Sequence, residues 1–112
     1  MKKLVVGITG ASGVVLGIRL LQIARQAQLA ETHLVLSAAA QATIAQETAW
    51  KVSDVEALAD RAYHVNDVGA AIASGSFVTA GMVIVPCSIK TLSAVANSYS
   101  ADLVARAADV TL

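Results

Sequence analysis

The chain has 112 residues, with eight Lys and Arg balanced by eight Asp and Glu, so it carries no net formal charge. Hydrophobic residues make up 56%, charged residues only 14% and aromatic residues 4%. This composition excludes a disordered chain and a basic nucleic-acid footprint, and the length suits a single domain over residues 1–112 with its own core.

Lys2 and Lys3 precede an apolar stretch from Leu4 to Ile18, the outline of a secretory signal. Gly7, Thr9, Gly10, Ser12 and Gly13 interrupt that stretch and an amphipathic pattern follows directly, so it is read as part of the fold. The run from Leu4 to Ile8 predicts a strand buried on both faces. From Val14 the period changes. Leu16, Leu20, Ile23, Ala24 and Ala27 share one helical face opposite Arg19, Gln22, Arg25 and Gln26, which predicts a helix from about Gly13 to Gln28. His33 to Leu36 reads as a second strand closed by Ser37, and an Ala-rich helix follows from about Ala38 to Thr48.

Ser53 and Glu56 have capping-box spacing and predict a short helix starting there. Tyr63 to Val65 reads as a brief strand, and Asn66 to Ser76 as irregular or short-helical. Met82 to Val85 is a third strong strand, stopped by Pro86. Ser88 is placed to cap a helix from about Ile89 to Asn97. Ser100 or Asp102 starts a last helix, Ala101 to Leu112. Strand–helix alternation of this kind predicts βαβ units: a three-layer α/β fold with a parallel sheet and helices on both faces. The last helix has no C-cap Gly and no terminal Lys or Arg, and three strong strands are fewer than the usual five or six. The sheet is therefore expected to be incomplete on its C-terminal side. No apolar run reaches the ~20 residues of a membrane helix. The low charge and small apolar residues suggest that much of the surface faces other subunits.

The strongest local signal is Gly7-Ile8-Thr9-Gly10-Ala11-Ser12-Gly13, between the first strand and first helix. A Gly-rich turn there lets backbone approach a phosphate or flat ring, and the helix N-terminus favours an anion. A dinucleotide site would want an acid at the end of strand two, but Ser37 stands there, which suits a phosphate or ribityl chain and points to a mononucleotide such as FMN. The third strand ends in Pro86-Cys87-Ser88-Ile89-Lys90-Thr91. All three segments lie at carboxyl ends of strands, where open α/β sheets bind ligands. Cys87 has the placement of a nucleophile with a lowered pKa, but no partner base accompanies it, and a small buried residue packing near the ligand is the preferred reading. Lys90 is suited equally to a phosphate or to solvent. Glu47 reads as a solvated helix end with proton transfer as its functional alternative. His33 reads as structural, His64 as a loop residue and Trp50 as a packing or interface anchor. A lone Cys implies no disulfide framework and no multi-Cys zinc site, and accords with a reducing, cytoplasmic setting.

These blocks, with Glu31 to Ser37, Glu47-Thr48, Ser74-Gly75-Ser76-Phe77, Gly81 to Ser93 and Arg106 to Val110, resemble the UbiX-like flavin prenyltransferases, in order along the whole chain. That family belongs to a superfamily of FMN-binding, often dodecameric flavoproteins with a flavodoxin-like or Rossmann-like fold. The resemblance implies transfer of a dimethylallyl group from dimethylallyl phosphate to N5 and C6 of reduced FMN, without a metal. The prenylated FMN would serve a UbiD-like decarboxylase of the ubiquinone-pathway type, and the enzyme would be a homo-oligomer, trimer to dodecamer. It further implies that Gly10, Ala11 and Ser12 contact the flavin, that Ser37, Cys87, Ser88, Ile89 and Lys90 bind FMN, and that Ser12 and Glu47 assist prenyl transfer. Small residues such as Gly10 and Ala11 would leave room for the isoprenoid. In some relatives an aromatic residue near the Asn66-Asp67 turn faces the prenyl site; here Val68 follows that pair. The family continues for as many as ~80 residues after the Ala107-Ala108-Asp109 block, judged by the size of such domains. That part carries an Arg for the FMN phosphate and basic and Tyr residues for dimethylallyl phosphate.

Three other readings stay open. An FMN-dependent cysteine decarboxylase of the same superfamily would resemble P-x-x-A-N-T after the third strand, and Pro86 to Thr91 departs from that. A Rossmann NAD(P) module lacks its acid at Ser37. A truncated fragment would keep the fold and flavin binding without catalysis.

Overall fold

The computed structural model describes residues 1–67, 69–98 and 102–111. Val68, Ser100, Ala101 and Leu112, to which the sequence reading attaches a departure from relatives, two helix starts and a helix end, lie outside the described residues. The elements are β1 (Lys3–Ile8), α1 (Val14–Gln26), β2 (Glu31–Leu36), α2 (Ala38–Glu47), α3 (Val52–Leu58), β3 (Arg61–Tyr63), a 3-10 turn (Ala71–Ala73), β4 (Gly81–Ile84), α4 (Ile89–Ala96) and α5 (Leu103–Thr111).

The sheet has four strands in the order β3-β2-β1-β4, all parallel. Ile8 pairs with Leu36, and Gly7 with both Val35 and Ile84. The carboxyl ends of β1, β2 and β4 therefore finish level, and the loops after them meet.

Strand side chains alternate between two cores. Val6, Ile8, Leu34 and Leu36 face α1, α2 and α3, with Ile18, Leu21, Ile44 and Val55 packed on them. Val5 and Val35 face the other way, against Val65, Ile72, Leu103, Val104 and Ala107. The expected helix-covered parallel sheet is thus present, with β1 and β2 apolar on both faces.

Three local expectations are corrected. The buried face of α1 is Val14, Gly17, Ile18, Leu21 and Ala24, whereas Leu16 is 61% and Ile23 41% exposed. Apolar residues occupy two stripes of this helix, and the sheet takes the one containing Gly17. The brief strand is Arg61–Tyr63 and not Tyr63 to Val65, because His33 to Val35 pair with Arg61 to Tyr63 and Val65 turns into the second core. The capping box does not form: α3 starts at Val52 behind Lys51, with no side-chain cap, which puts Ser53 inside the helix. Val52 packs against the first core and draws the helix start forward. The last helix, Leu103–Thr111, starts behind Asp102 as one of the two expected starts, with Asp102 Oδ1 accepting from the Ala105 amide.

His33 is structural, as expected. It is 3% exposed, with Nε2 2.6 Å from Glu31 Oε2 and Nδ1 2.8 Å from the Tyr63 hydroxyl. A carboxylate only accepts, so in the neutral ring Nε2 carries the hydrogen and Nδ1 accepts from Tyr63. Burial pushes the Tyr63 phenol above its ordinary value, partly offset by Arg61 and reinforced by Glu31. Trp50 packs against the first core. No helix among the described residues is long and apolar enough to cross a membrane.

Candidate functional site

Three loops build the site, each set by the residue that leaves a strand. After β1, Thr9 is buried and the chain runs to Gly13, whose left-handed φ of 95° turns it into α1. No side chain caps α1, so its first-turn amides are not claimed by the usual Ser, Thr or Asp oxygen. After β2, the Ser37 amide donates to the Ile8 carbonyl at 3.0 Å and its Oγ accepts from the Ala40 amide at 3.0 Å. After β4, Ser88 caps α4: its Oγ accepts from the Thr91 amide at 3.1 Å and lies 3.0 Å from Thr91 Oγ1.

A cleft of about 130 Å³ opens where these loops meet, lined by Gly10, Ser37, Ser88, Lys90, Thr91 and Asp102 among others. It joins residues from the ends of three strands and the start of α5. Gly10 is there because nothing larger fits: a Cβ on it would lie 2.4 Å from the Cβ of Ala39. On that side Gly10 makes room for Ala39 of α2.

The other proposed site residues stand apart from this cleft. Ser12 is exposed in the loop before α1, and Ala11 beside it is half-buried. Ile89 is 86% exposed. Glu47 is exposed at the far end of α2, about 15 Å along the axis from Ser37 at 1.5 Å per residue. Cys87 is exposed rather than buried, and lines a separate apolar groove with Met82, Ile84, Val95, Ala108 and Thr111. Partial desolvation of its sulfur pushes the thiol above its ordinary value, the opposite of what a nucleophile needs. A larger cavity of about 290 Å³, beside Val5, Ile72, Phe77 and Gly81, lies at the amino end of β4, away from the strand ends that bind ligands.

Thr91 and Asp102 line the cleft without having been singled out as ligand residues. Thr91 belongs to the block after β4, so its place was available from that block; Asp102 showed only as a helix start. Thr9 is hidden within a Gly-rich run in the sequence, and its hydroxyl ties two of the loops together. Among the described residues no group of three or more His, Cys, Asp or Glu gathers as a metal site.

The sequence profile of the flavoprotein family matches residues 1–112. The flavin prenyltransferase UbiX of Salmonella typhimurium is 56% identical over 112 residues, all of this chain and 59% of that protein. A UbiX crystal structure solved with FMN and dimethylallyl pyrophosphate superposes with a TM-score of 0.94 at 48% identity, over 97% of this chain and 57% of that one. A dodecameric FMN-dependent UbiX-like decarboxylase from Escherichia coli O157:H7 also superposes at 0.94, with 51% identity, over 96% of this chain and 59% of that one. The chain thus spans rather more than half the length of the relatives it matches.

Proposed function

The chain belongs to the flavoprotein family, and from that premise we propose that it serves a flavin prenyltransferase, which moves a dimethylallyl group from dimethylallyl phosphate to reduced FMN. The observation that carries this reading is the meeting of Gly10, Ser37, Ser88 and Lys90 in one cleft at the carboxyl ends of β1, β2 and β4.

The residues present fit a phosphorylated flavin. Lys90 supplies a cation, and Ser37 and Thr91 supply hydroxyls. The cleft of about 130 Å³ is well under the ~300 Å³ of a whole ligand pocket, so it suits the phosphate and ribityl end while the ring lies outside. Reduced FMN, when bound, supplies the nucleophilic nitrogen and carbon.

This chain's own residues then bind, orient and handle charge. Lys90 holds the phosphate end. Ser12 and Glu47 lie outside the cleft, and their roles, a proton taken or held by Glu47 and orientation of the acceptor by Ser12, rest on the family resemblance alone. Ala11 and the backbone of Gly10 shape the wall beside it. Cys87 and Ile89 frame the turn that carries Ser88 and Lys90. An allylic phosphate leaves easily only where its anion is stabilised and water is kept from the developing cation.

Exposed apolar side chains, including Leu16, Ile23, Ile89 and Leu92, support a homo-oligomer between trimer and dodecamer. A cytoplasmic setting, in which Cys87 stays a free thiol, and delivery of prenylated FMN to a UbiD-like decarboxylase complete the proposal. The turn Pro86 to Thr91 keeps the cysteine decarboxylase reading behind this one.

The test is anaerobic mixing of the chain with reduced FMN and dimethylallyl phosphate, followed by mass spectrometry of the extracted flavin. A flavin heavier by one C5 unit is expected, with Ser12→Ala and Glu47→Gln lowering its yield while FMN is still retained. Unmodified FMN retained by the unaltered chain would mean a flavin-binding fragment without catalysis, and no retained flavin would overturn the reading.

A further inference from the structure

We propose that Thr9 is a positioning residue of the flavin site, its buried hydroxyl latching the turn Pro86–Ser88 to the end of β1. The inference rests on reading the cleft as that site.

Thr9 follows β1 directly and is 1% exposed. Its Oγ1 donates to the Pro86 carbonyl at 2.7 Å and accepts from the Ser88 amide at 2.7 Å. Its own amide also donates to the Pro86 carbonyl, at 3.1 Å. A hydroxyl can donate and accept at one atom, and both capacities are used here on the two residues that flank Cys87. They join segments 77 and 79 positions apart in sequence.

The bonds continue into the cleft. The residue held by Thr9 is Ser88, and Ser88 caps α4 through the Thr91 amide and meets the Thr91 hydroxyl. A hydrogen-bonded path thus runs from the end of β1 through Thr9 and Ser88 to Thr91. Lys90 lies in the first turn of α4, the helix that Ser88 caps. Thr9 is not among the residues lining the cleft, so it acts through Ser88.

The latch requires a polar side chain at this loop position. A buried Val of the same shape would fill the space as well, but it would leave the Ser88 amide without its acceptor. The Pro86 carbonyl would keep the Thr9 amide. The effect of losing the hydroxyl therefore falls on Ser88 and the helix it caps.

The experiment compares Thr9→Val and Thr9→Ser with the unaltered chain in two readouts. One is hydrogen exchange of the Ser88 and Thr91 amides without ligand; the other is titration with FMN and with riboflavin, which lacks the phosphate. Thr9→Val is expected to speed Ser88 exchange and raise the Kd for FMN, each roughly tenfold. Riboflavin affinity should change less, and Thr9→Ser should restore all three values. If Thr9→Val does not fold, Thr9→Ala carries the same readouts. Ser88 exchange and FMN Kd both within about twofold of the unaltered chain overturn the proposal. Faster exchange with unchanged FMN affinity, an equal loss of riboflavin binding, or Thr9→Ser behaving like Thr9→Val overturns it too. If the unaltered chain binds no FMN, the flavin reading fails and takes Thr9's role in that site with it, while the exchange arm still decides the latch.

Discussion

A Cβ on Gly10 would stand 2.4 Å from the Cβ of Ala39 and 3.0 Å from its carbonyl carbon, so the loop after β1 touches the first turn of α2 through a missing side chain. Gly10→Ala must push the loop off the helix and open the cleft between them. It should cost about 1–3 kcal/mol in urea unfolding and weaken FMN binding. Ala39→Gly alone should cost about 1 kcal/mol. The double variant should recover only part of the loss, because the Ala39 backbone stays in place. Full additivity of the two single changes would contradict the contact.

Ser37 has two roles that a variant can separate. As the cap of α2 it is worth about 1 kcal/mol against Ala, but glycine at such a position costs only a few tenths. Ser37→Gly should therefore leave the unfolding midpoint nearly unchanged while weakening FMN. Unchanged FMN affinity in Ser37→Gly would leave Ser37 as a cap alone.

Lys90 is exposed and reaches the cleft from the start of α4. Lys90→Gln should raise the Kd for FMN about tenfold, as for a lost charged hydrogen bond, and leave riboflavin affinity in place. Calorimetric titration of both ligands checks this. An equal loss for riboflavin would mean that Lys90 does not face the phosphate.

Partial desolvation pushes the exposed Cys87 thiol above its ordinary value, and the native chain therefore keeps that proton to higher pH than the unfolded chain. The resulting contribution to stability is fully present below the unfolded thiol value and is lost as pH rises through the native one. Alkylation by iodoacetamide should be slow at neutral pH and rise only above the free-thiol range of about 8.5. A rate at neutral pH faster than that of a free thiol would restore the nucleophile reading.

Runs that are apolar on both faces were legible as strands, and Ser37 and Ser88 were legible as caps, because both signals are local. Leu16 and Ile23 misled the reading of α1 because two apolar stripes compete on that helix, and only the approach to the sheet decides between them. The β3 boundary was set by pairing with His33 to Val35, which no local pattern contains. In the site, Gly10, Ser37, Ser88 and Lys90 came together as the strand ends required. Glu47 did not, because a helix that starts at the cleft carries its last residue away from it. Thr9 was hidden because its partners lie 77 and 79 positions away.

The most direct measurement is titration of the isotope-labelled chain with FMN, followed by amide chemical shifts. Saturable shifts are expected at Gly10 to Gly13, at Ser37 and at Ser88 to Thr91. Silent amides there, or shifts confined to the cavity beside Phe77 and Gly81, would contradict a flavin site at the carboxyl ends of β1, β2 and β4.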